Sequence, residues 1–241
     1  MTRQLRMGLF VVSGLGLAAL LVWGLAGLPD VGDYKGPYGI VLDRVAVGQR
    51  HATNVVASVV FDYRGLDTLG EELILFSSVM GTALLLREVR NVEPERPRDR
   101  APAVGVRALG ILLAPLALLV GLAVVAHGPV TPGGGFQGGV VLAASFLLVY
   151  LAHEYRSYRE VTPSEVVDLA EGASIAGFVA VGVAGIASGG SFLENVLPLG
   201  IPGSLASSGT IELLNVLTAG AVAAAFVLLF TEFLEEALVV K

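Results

Sequence analysis

Four titratable side chains lie at the ends of long apolar stretches, where they could carry ions or protons. Asp67, Glu71 and Glu72 stand at the start of the second apolar stretch, and His127 ends the third. A carboxylate at membrane depth is costly unless it faces a partner, a cavity or a permeating cation, so such groups usually mark ion pathways. Histidine titrates near neutral pH and could pass protons. The sequence therefore predicts Asp67, Glu71, Glu72 and His127 as candidates for an ion pathway.

Some of these residues could instead have a structural role that does not involve transport. The segment Thr68 to Glu71 fits a capping box, in which Thr68 caps a helix and the Glu71 carboxylate accepts a hydrogen bond from a free backbone N–H group. Both interpretations of Glu71 stay open, whereas Glu72 has no capping role and is the cleaner candidate for contact with an ion. His127 is also consistent with an interfacial residue that has no role in transport.

A glycine-rich segment opens the fourth apolar stretch. Its residues are Pro132, Gly133, Gly134, Gly135, Phe136, Gln137, Gly138 and Gly139. A backbone with so few side chains at membrane depth must be buried among other helices or lie beside a water-filled cavity. Glycines four residues apart form faces that favour close helix packing. The other interpretation is a broken helix whose free backbone groups face an ion or a chain of water molecules.

The elements that must position these residues are membrane-spanning helices. Hydrophobic residues make up 54% of the chain and charged residues 15%, compared with about 25% charged residues in soluble domains. Because about 20 apolar residues cross the hydrocarbon core, we predict an all-α polytopic membrane protein with about six transmembrane helices. The predicted spans are Met7–Leu28, Leu69–Leu86, Ala108–His127, Gly135–Ala152, Gly172–Leu193 and Leu213–Thr231.

The positions of Lys and Arg predict the orientation. With six spans, the two termini share one side with eleven of the fifteen Lys and Arg residues; the other four are Lys35, Arg44, Arg50 and Arg64. Cytoplasmic loops carry an excess of positive residues, so both termini are predicted to be cytoplasmic, in a multi-pass protein of the cytoplasmic membrane. Residues 53–61, between the first two spans, could form an interfacial helix or a buried one.

A further group of acidic residues opens the fifth span. The segment Thr162 to Glu165 is typical of a helix start, with Thr162 as the cap and Pro163 at the first position. Asp168 and Glu171 follow and would offset the positive end of the helix dipole. We predict a solvated cytoplasmic helix start here; the alternative is a cytoplasmic exit for ions.

Several classes of function are disfavoured. The chain has no cysteine and three histidines, which excludes thiolate metal sites and leaves little for a metal centre of histidines. It lacks a phosphate loop, a hydrolytic triad and a dinucleotide fingerprint. The net charge of −6 gives no reason to expect a nucleic-acid partner. We therefore predict no catalytic residues, no metal site and no cofactor beyond transported sodium ions and protons.

Two motifs carry a resemblance to a known family. The segment Pro132 to Gly139, followed by an apolar helix, resembles the B subunit of Mrp/Mnh-type multisubunit sodium/proton antiporters and the corresponding small subunit of membrane-bound hydrogenases. The segment Asp62 to Glu71 resembles a signature near the C-terminus of the large antiporter subunit, which in hydrogenases lies in a small separate subunit.

The order of the two motifs implies two modules. Residues 1–88 would be a two-span module that resembles the C-terminal region of the large antiporter subunit. Residues 107–241 would be a four-span module that resembles the B subunit. Residues 89–106, rich in charge and proline, would be a cytoplasmic linker.

The resemblance also implies a function. The chain would be a membrane subunit of a multisubunit sodium/proton antiporter that serves pH homeostasis, with the lipid bilayer and large proton-translocating subunits as its partners. It implies that Asp67 and Glu71 belong to the cation route. Two alternatives stay open: a small membrane subunit of an energy-converting hydrogenase or a related redox complex, and a helical scaffold that transports nothing.

Overall fold

The structure, a computed structural model, describes residues 3–28, 36–89 and 103–239. Every regular element in these ranges is helical. The helices are α1 (Arg3–Ala26), α2 (Pro37–Arg50), α3 (Val55–Ser58), α4 (Gly65–Val89), α5 (Val104–Ala126), α6 (Gly135–Val161), α7 (Ser164–Ala187) and α8 (Thr210–Val239). Residues Val59–Tyr63 continue α3 as a π-helical turn. The chain divides into two units, Met1–Val41 and Leu42–Lys241.

The first unit holds α1 and the first residues of α2. Helix α1 has 24 residues, or about 36 Å at about 1.5 Å per residue, and contains the apolar run Phe10–Ala26. This run lies within the predicted span Met7–Leu28. Helix α2 begins at Pro37, where proline is tolerated because the first N–H groups of a helix have no partner within it. No helix was predicted from the sequence over these residues.

In the second unit, α8 is the central helix. It packs against α4, α5, α6 and α7, and 56% of its apolar stretch is buried, compared with 17% to 33% for those four helices. Small side chains such as Ala219, Ala221 and Ala225 line α8 and let its neighbours approach. The outer helices keep apolar surface on the outside of the bundle, as expected for helices that contact lipid or other subunits.

Within residues 3–28, 36–89 and 103–239, five helices, α4 to α8, are long and apolar enough to cross a membrane, and the shorter run in α1 adds a sixth apolar segment. The predicted all-α, multi-pass membrane fold is therefore confirmed. Helix α7 begins at Ser164, inside the segment predicted as its start and eight residues before the predicted apolar span Gly172–Leu193. Helix α6 is interrupted at Glu154, with a φ of 73°, just past the predicted span end at Ala152. The cytoplasmic location of the termini stays a prediction.

The segment between α2 and α4 is buried within the second unit. Ala57 and Phe61 lie in one apolar cluster with Phe178 and Leu214. Asn54 caps α3, because its side chain accepts a hydrogen bond from the N–H of Val56 at 3.2 Å. Of the two interpretations for residues 53–61, the structure therefore favours the buried helix.

The start of α4 contradicts the capping box predicted at Thr68. The helix begins at Gly65, so Thr68 already lies within its first turn. The Thr68 hydroxyl donates to the carbonyl oxygen of Val60 at 2.5 Å and is not the cap of a helix that begins at Leu69. The capping interpretation of Glu71 was wrong, because the π-helical turn at residues 59–63 brings the chain into α4 earlier than the pattern indicated.

Helix α7 starts where it was predicted to start, but its capping residue and the surroundings of Glu171 differ from the prediction. Thr162 does not cap this helix; its hydroxyl donates backward to the carbonyl oxygen of Tyr158 at 2.7 Å, and α7 follows Pro163. Glu171 is 2% exposed, so the predicted solvated position was wrong for this residue. The predicted linker, residues 89–106, lies mostly outside the described residues, and the module boundaries stay a prediction.

Candidate functional site

Glu72 is a carboxylate buried between α4 and α8. It is 1% exposed, and neither of its carboxylate oxygens has a hydrogen-bond partner among the described residues. The hydroxyl of Thr218 on α8 faces it and is likewise buried without a hydrogen bond inside the described ranges. A buried polar atom without a partner is rare in folded proteins and calls for a bound ion, a proton or water. Glu72 and Thr218 therefore have the surroundings of an ion site.

Asn215 lies one turn before Thr218 on α8 and is fully buried. Its side-chain amide donates to the carbonyl oxygen of Val125, near the end of α5, at 2.7 Å. Its carbonyl oxygen Oδ1 accepts no hydrogen bond from the part of the chain that the structure describes. A Cβ atom on Gly134 would lie 3.0 Å from this oxygen. Asn215 thus joins α5 to α8 and presents a free acceptor to the glycine-rich segment.

The glycine-rich segment combines an irregular turn with two packed helix faces. Gly133 and Gly134 have φ values of 136° and 124°, a conformation that favours glycine. A Cβ atom on Gly139 would lie 2.8 Å from Cβ of Val222 on α8. A Cβ atom on Gly138 would collide with Val125 on α5. The absence of side chains therefore lets α6 approach α5 and α8 together.

A cavity of about 270 Å³ lies where the two motifs meet. Its lining comes from the segment before α4, the first turns of α4 and α6, and α8. The residues that matter here are Thr68, Glu71, Gly134, Phe136, Gln137 and Asn215. Asn54, which precedes α3, holds the turn that follows α5. Its side-chain amide donates to the carbonyl oxygens of Gly128 at 2.7 Å and Thr131 at 3.0 Å. The cavity thus has free carboxylate and amide oxygens on its wall.

The structure separates the four predicted pathway residues. Glu71 is exposed and lines the cavity. Glu72, the next residue in the chain, is buried. Asp67 is exposed and forms an ion pair with Arg64, one turn away. His127 follows the last residue of α5, with its Nδ1 2.8 Å from the carbonyl oxygen of Ala123. Neither Asp67 nor His127 lines this cavity.

A second polar site lies before α4, outside the membrane-spanning helices. Arg50 donates from Nε to Oδ1 of Asp62 at 2.7 Å, and the Asp62 side chain is 7% exposed. Burial raises the pKa of Asp62 above its usual value, although the guanidinium of Arg50 acts in the opposite direction. Arg50 also lies over the ring of Tyr63, 5.3 Å from its centre. This arrangement is a structural ion pair that fastens the end of α2 to the π-helical turn.

Sequence reasoning did not select Asn215 or Thr218 as site residues. Asn215 and Thr218 are three residues apart in an otherwise apolar helix, and polar groups at this spacing share one face. This spacing was the signal that could have identified them. In the ranges that the structure covers, no group of three or more His, Cys, Asp or Glu side chains could hold a metal ion.

Comparisons with known proteins show which family this chain resembles. Residues 106–228 match the model of a family described as a domain related to the MnhB subunit of Na+/H+ antiporters. An uncharacterised protein of Methanocaldococcus jannaschii is 30% identical over 201 residues, which cover 73% of this chain and 76% of that protein.

Two solved structures are similar along nearly the whole chain. A chain of the membrane-bound sulfane sulfur reductase, an archaeal respiratory membrane complex, is 32% identical with a TM-score of 0.74; the match covers 95% of this chain and 98% of that one. A chain of the Mrp complex from Dietzia sp. DQ12-45-1b is 25% identical with a TM-score of 0.73; the match covers 96% of this chain and 26% of that one. The family model spans half of this sequence, so the chain belongs to the family of domains related to the MnhB subunit of Na+/H+ antiporters.

Proposed function

We propose that this chain is a membrane subunit of a multisubunit sodium/proton antiporter and lines part of its cation path. The observation that carries this proposal is the Glu72 carboxylate, which is buried at membrane depth without a hydrogen-bond partner in the described ranges. A charged side chain at the centre of a membrane helix costs at least about 2.5 kcal/mol. A cation or a proton that occupies the site in turn would offset this cost.

The cavity at the glycine-rich turn provides the approach to Glu72. Glu71 on its wall offers an exposed carboxylate to an arriving cation. Thr68 lies on the same wall, one helical turn before Glu72, so the cavity adjoins the face of α4 that carries the buried carboxylate. Asp67 and His127 belong to the same end of the bundle and would act outside the cavity, at the mouth of the path.

Other subunits would supply the remaining parts of the transport machinery. The matched chains of known structure come from multisubunit membrane complexes. The family match begins at residue 106, which supports a module like the B subunit from residue 107, after a linker and a module like the end of the large antiporter subunit. In this proposal the chain is not itself an enzyme and holds no cofactor, both termini are cytoplasmic, and large proton-translocating subunits are its partners.

A second candidate is the same role within a redox complex. The match to the sulfane sulfur reductase complex covers 98% of the matched chain, whereas the match to the Mrp chain covers 26% of that chain. In this case electron transfer in a peripheral arm would drive ion movement through the membrane arm. Iron–sulfur absorbance in the purified assembly would favour the redox complex, and its absence would favour the antiporter.

The test is Glu72→Gln in the complete assembly. Sodium-dependent proton exchange, measured by a pH-sensitive dye in inverted membrane vesicles, should fall to the background level because the neutral amide cannot exchange a cation for a proton. Glu72→Asp should retain part of the activity.

The matched control is Glu165→Gln, which alters a carboxylate in the first turn of α7 that is not buried. This variant should exchange ions like the unaltered assembly. Co-purification of the partner subunits shows that each variant is assembled. Full exchange by assembled Glu72→Gln would contradict the proposed pathway.

A further inference from the structure

The hydroxyl groups of the long helices differ in what they bind. Those of Ser78 and Thr82 on α4 and of Thr231 on α8 each donate to the carbonyl oxygen four residues earlier, at 2.7 to 2.8 Å. This local bond is a common way for a helix to satisfy a serine or threonine hydroxyl. Thr218 on α8 differs, because its hydroxyl is buried and has no hydrogen-bond partner among the described residues. The Thr218 hydroxyl is therefore available to a ligand.

The carboxylate of Glu72 on α4 faces this hydroxyl. The Thr218 and Glu72 side chains are 0% and 1% exposed, and none of their three oxygen atoms has a hydrogen-bond partner inside the described ranges. Buried oxygen atoms without partners call for a bound ion, a proton or water. Because the two side chains face each other from different helices, their oxygens can converge on one ligand.

The Glu72 and Thr218 pair lies one helical turn beyond the cavity at the glycine-rich segment. Thr68 of α4 and Asn215 of α8 are on the wall of that cavity. Glu72 and Thr218 follow them by four and three residues, on the same helix faces. Gly135 of α6, also on the wall, packs against Thr218: a Cβ atom on Gly135 would lie 2.8 Å from Cβ of Thr218. The cavity wall therefore adjoins the pair on both α4 and α8.

We propose that the Thr218 hydroxyl is a ligand of the cation that Glu72 binds, and that it gives this site its affinity for sodium. The inference rests on the proposed function and identifies a second residue of the same site. A carboxylate alone can accept a proton, whereas a cation in a filter or site exchanges water molecules of its hydration shell for several oxygen ligands. A neutral hydroxyl is such a ligand and adds no charge. Either a sodium ion or a proton then neutralises the Glu72 carboxylate, as exchange of one for the other requires.

The transport test compares Thr218→Val with Thr218→Ser in the complete assembly. Valine has nearly the shape of threonine but no hydroxyl, whereas serine retains the hydroxyl. Thr218→Val should raise the sodium concentration for half-maximal proton exchange at least about fivefold, as expected for the loss of one uncharged ligand. Its maximal rate at saturating sodium should stay that of the unaltered assembly. Thr218→Ser should keep the half-maximal concentration within about twofold.

Thr231→Val is the matched control, because it removes a hydroxyl from another buried threonine of α8. The Thr231 hydroxyl already has partners within the protein, the carbonyl oxygen of Val227 and the hydroxyl of Tyr158. This variant should have the sodium dependence of the unaltered assembly. If Thr218→Val does not co-purify with its partner subunits, Thr218→Ala takes its place and removes the same hydroxyl from a smaller side chain.

A binding test that does not depend on transport is the labelling of Glu72 by dicyclohexylcarbodiimide in the purified assembly. The reagent modifies carboxyl groups in apolar surroundings, and peptide mass spectrometry measures the label. Sodium chloride should protect Glu72, with choline chloride added to keep the ionic strength constant. In Thr218→Val, Glu72 should be labelled as fully in choline chloride alone, but half-protection should require at least about fivefold more sodium.

The results that would overturn this inference differ from those that would overturn the proposed function. Equal sodium dependence in Thr218→Val, Thr231→Val and the unaltered assembly contradicts a ligand at Thr218. So does a lower maximal rate with unchanged sodium dependence, or a Glu72 that sodium does not protect. If Glu72→Gln abolishes exchange in the same experiments, the proposed function stands without Thr218. If Glu72→Gln exchanges ions normally, the proposed function fails as well.

Discussion

Asp62 and Glu72 are both buried carboxylates, and their surroundings give them different roles. Asp62 lies outside the membrane-spanning helices and has Arg50 at 2.7 Å. Glu72 lies within α4 and has no ion-pair or hydrogen-bond partner in the part of the chain described. The Arg50 guanidinium is paired with the first carboxylate, whereas the second has no hydrogen-bond partner among the described residues. Of these two carboxylates, Glu72 is therefore the one that we propose for transport.

The raised pKa of Asp62 predicts a dependence of stability on pH. Because the folded state holds this proton more tightly than the unfolded chain, Asp62 stabilises the fold below its ordinary pKa of 3.8. The contribution is lost as the pH rises from there through the raised pKa of the folded state. Relative to Asp62→Asn, the unaltered protein should lose thermal stability as the pH rises above 3.8, measured by circular dichroism in detergent.

Asp67→Asn is the matched control for this pH series, because Asp67 is an exposed carboxylate in the same part of the chain. Its melting temperature should follow the unaltered protein across the series. If the difference in melting temperature between the unaltered protein and Asp62→Asn does not change with pH, burial does not raise the pKa of Asp62.

At the residue scale, the sequence was enough to propose Glu72 as a candidate. It was not enough to predict the surroundings of Glu71 and Glu171. Glu72 could be selected because it had no capping role to explain it. The capping interpretation of Glu71 was wrong because α4 begins at Gly65, directly after a π-helical turn. No local sequence pattern predicted this turn. Glu171 was taken as solvated because acidic residues in the first turns of a helix usually offset its positive end in solvent, whereas here the residue is buried in the bundle.

At the scale of elements, α6 is held by contacts that only glycine permits. Gly138 faces α5, and Gly135 and Gly139 face α8. A Cβ atom on Gly135 would collide with the backbone oxygen of Asn215. These positions place α6 against the helix that carries Asn215 and Thr218, so the glycine spacing contributes to the geometry of the candidate site.

Gly139→Ala should separate α6 from α8. The added methyl group would lie 2.9 Å from the carbonyl oxygen of Ala219 and 2.8 Å from Cβ of Val222, and overpacking of this kind costs about 1–3 kcal/mol. The melting temperature of the assembly in detergent should fall accordingly, as measured by circular dichroism.

Gly172→Ala is the control for this substitution. Nothing lies within 4 Å of a Cβ atom built at Gly172 on α7, and alanine favours a helix interior over glycine by about 0.5–1 kcal/mol. Its melting temperature should stay the same or rise. A Gly139→Ala protein as stable as Gly172→Ala would show that close packing at Gly139 is not required.

The long helices could be predicted from apolar runs, but the short ones could not. An isolated short helix is marginal in water, and its stability comes from tertiary packing that a local pattern does not contain. Val55–Ser58 is helical because Asn54 caps it and Ala57 packs in the core. The β-branched residues of this segment indicated only an apolar patch, so an interfacial position and a buried one could not be separated from the sequence.

At the scale of the whole molecule, the bundle leaves much apolar surface to be covered. The apolar stretches of α4 and α5 are 17% and 22% buried within the chain, compared with 56% for α8. Lipid and neighbouring subunits are the surroundings that suit such faces. The candidate ion site has carboxylates and hydroxyls, and the described span interiors contain no lysine. Together, this site and the exposed apolar surface are what is expected of one subunit of a larger ion-transporting assembly.

The central claim is that this chain works within such an assembly, and purification in mild detergent tests it most directly. A tagged chain at its natural expression level should co-purify with large antiporter-type membrane subunits, and liposomes made from that preparation should exchange sodium for protons. The chain purified alone in the same detergent should give no exchange. A chain that purifies only as a solitary monomer, and exchanges sodium for protons by itself in liposomes, would contradict the account.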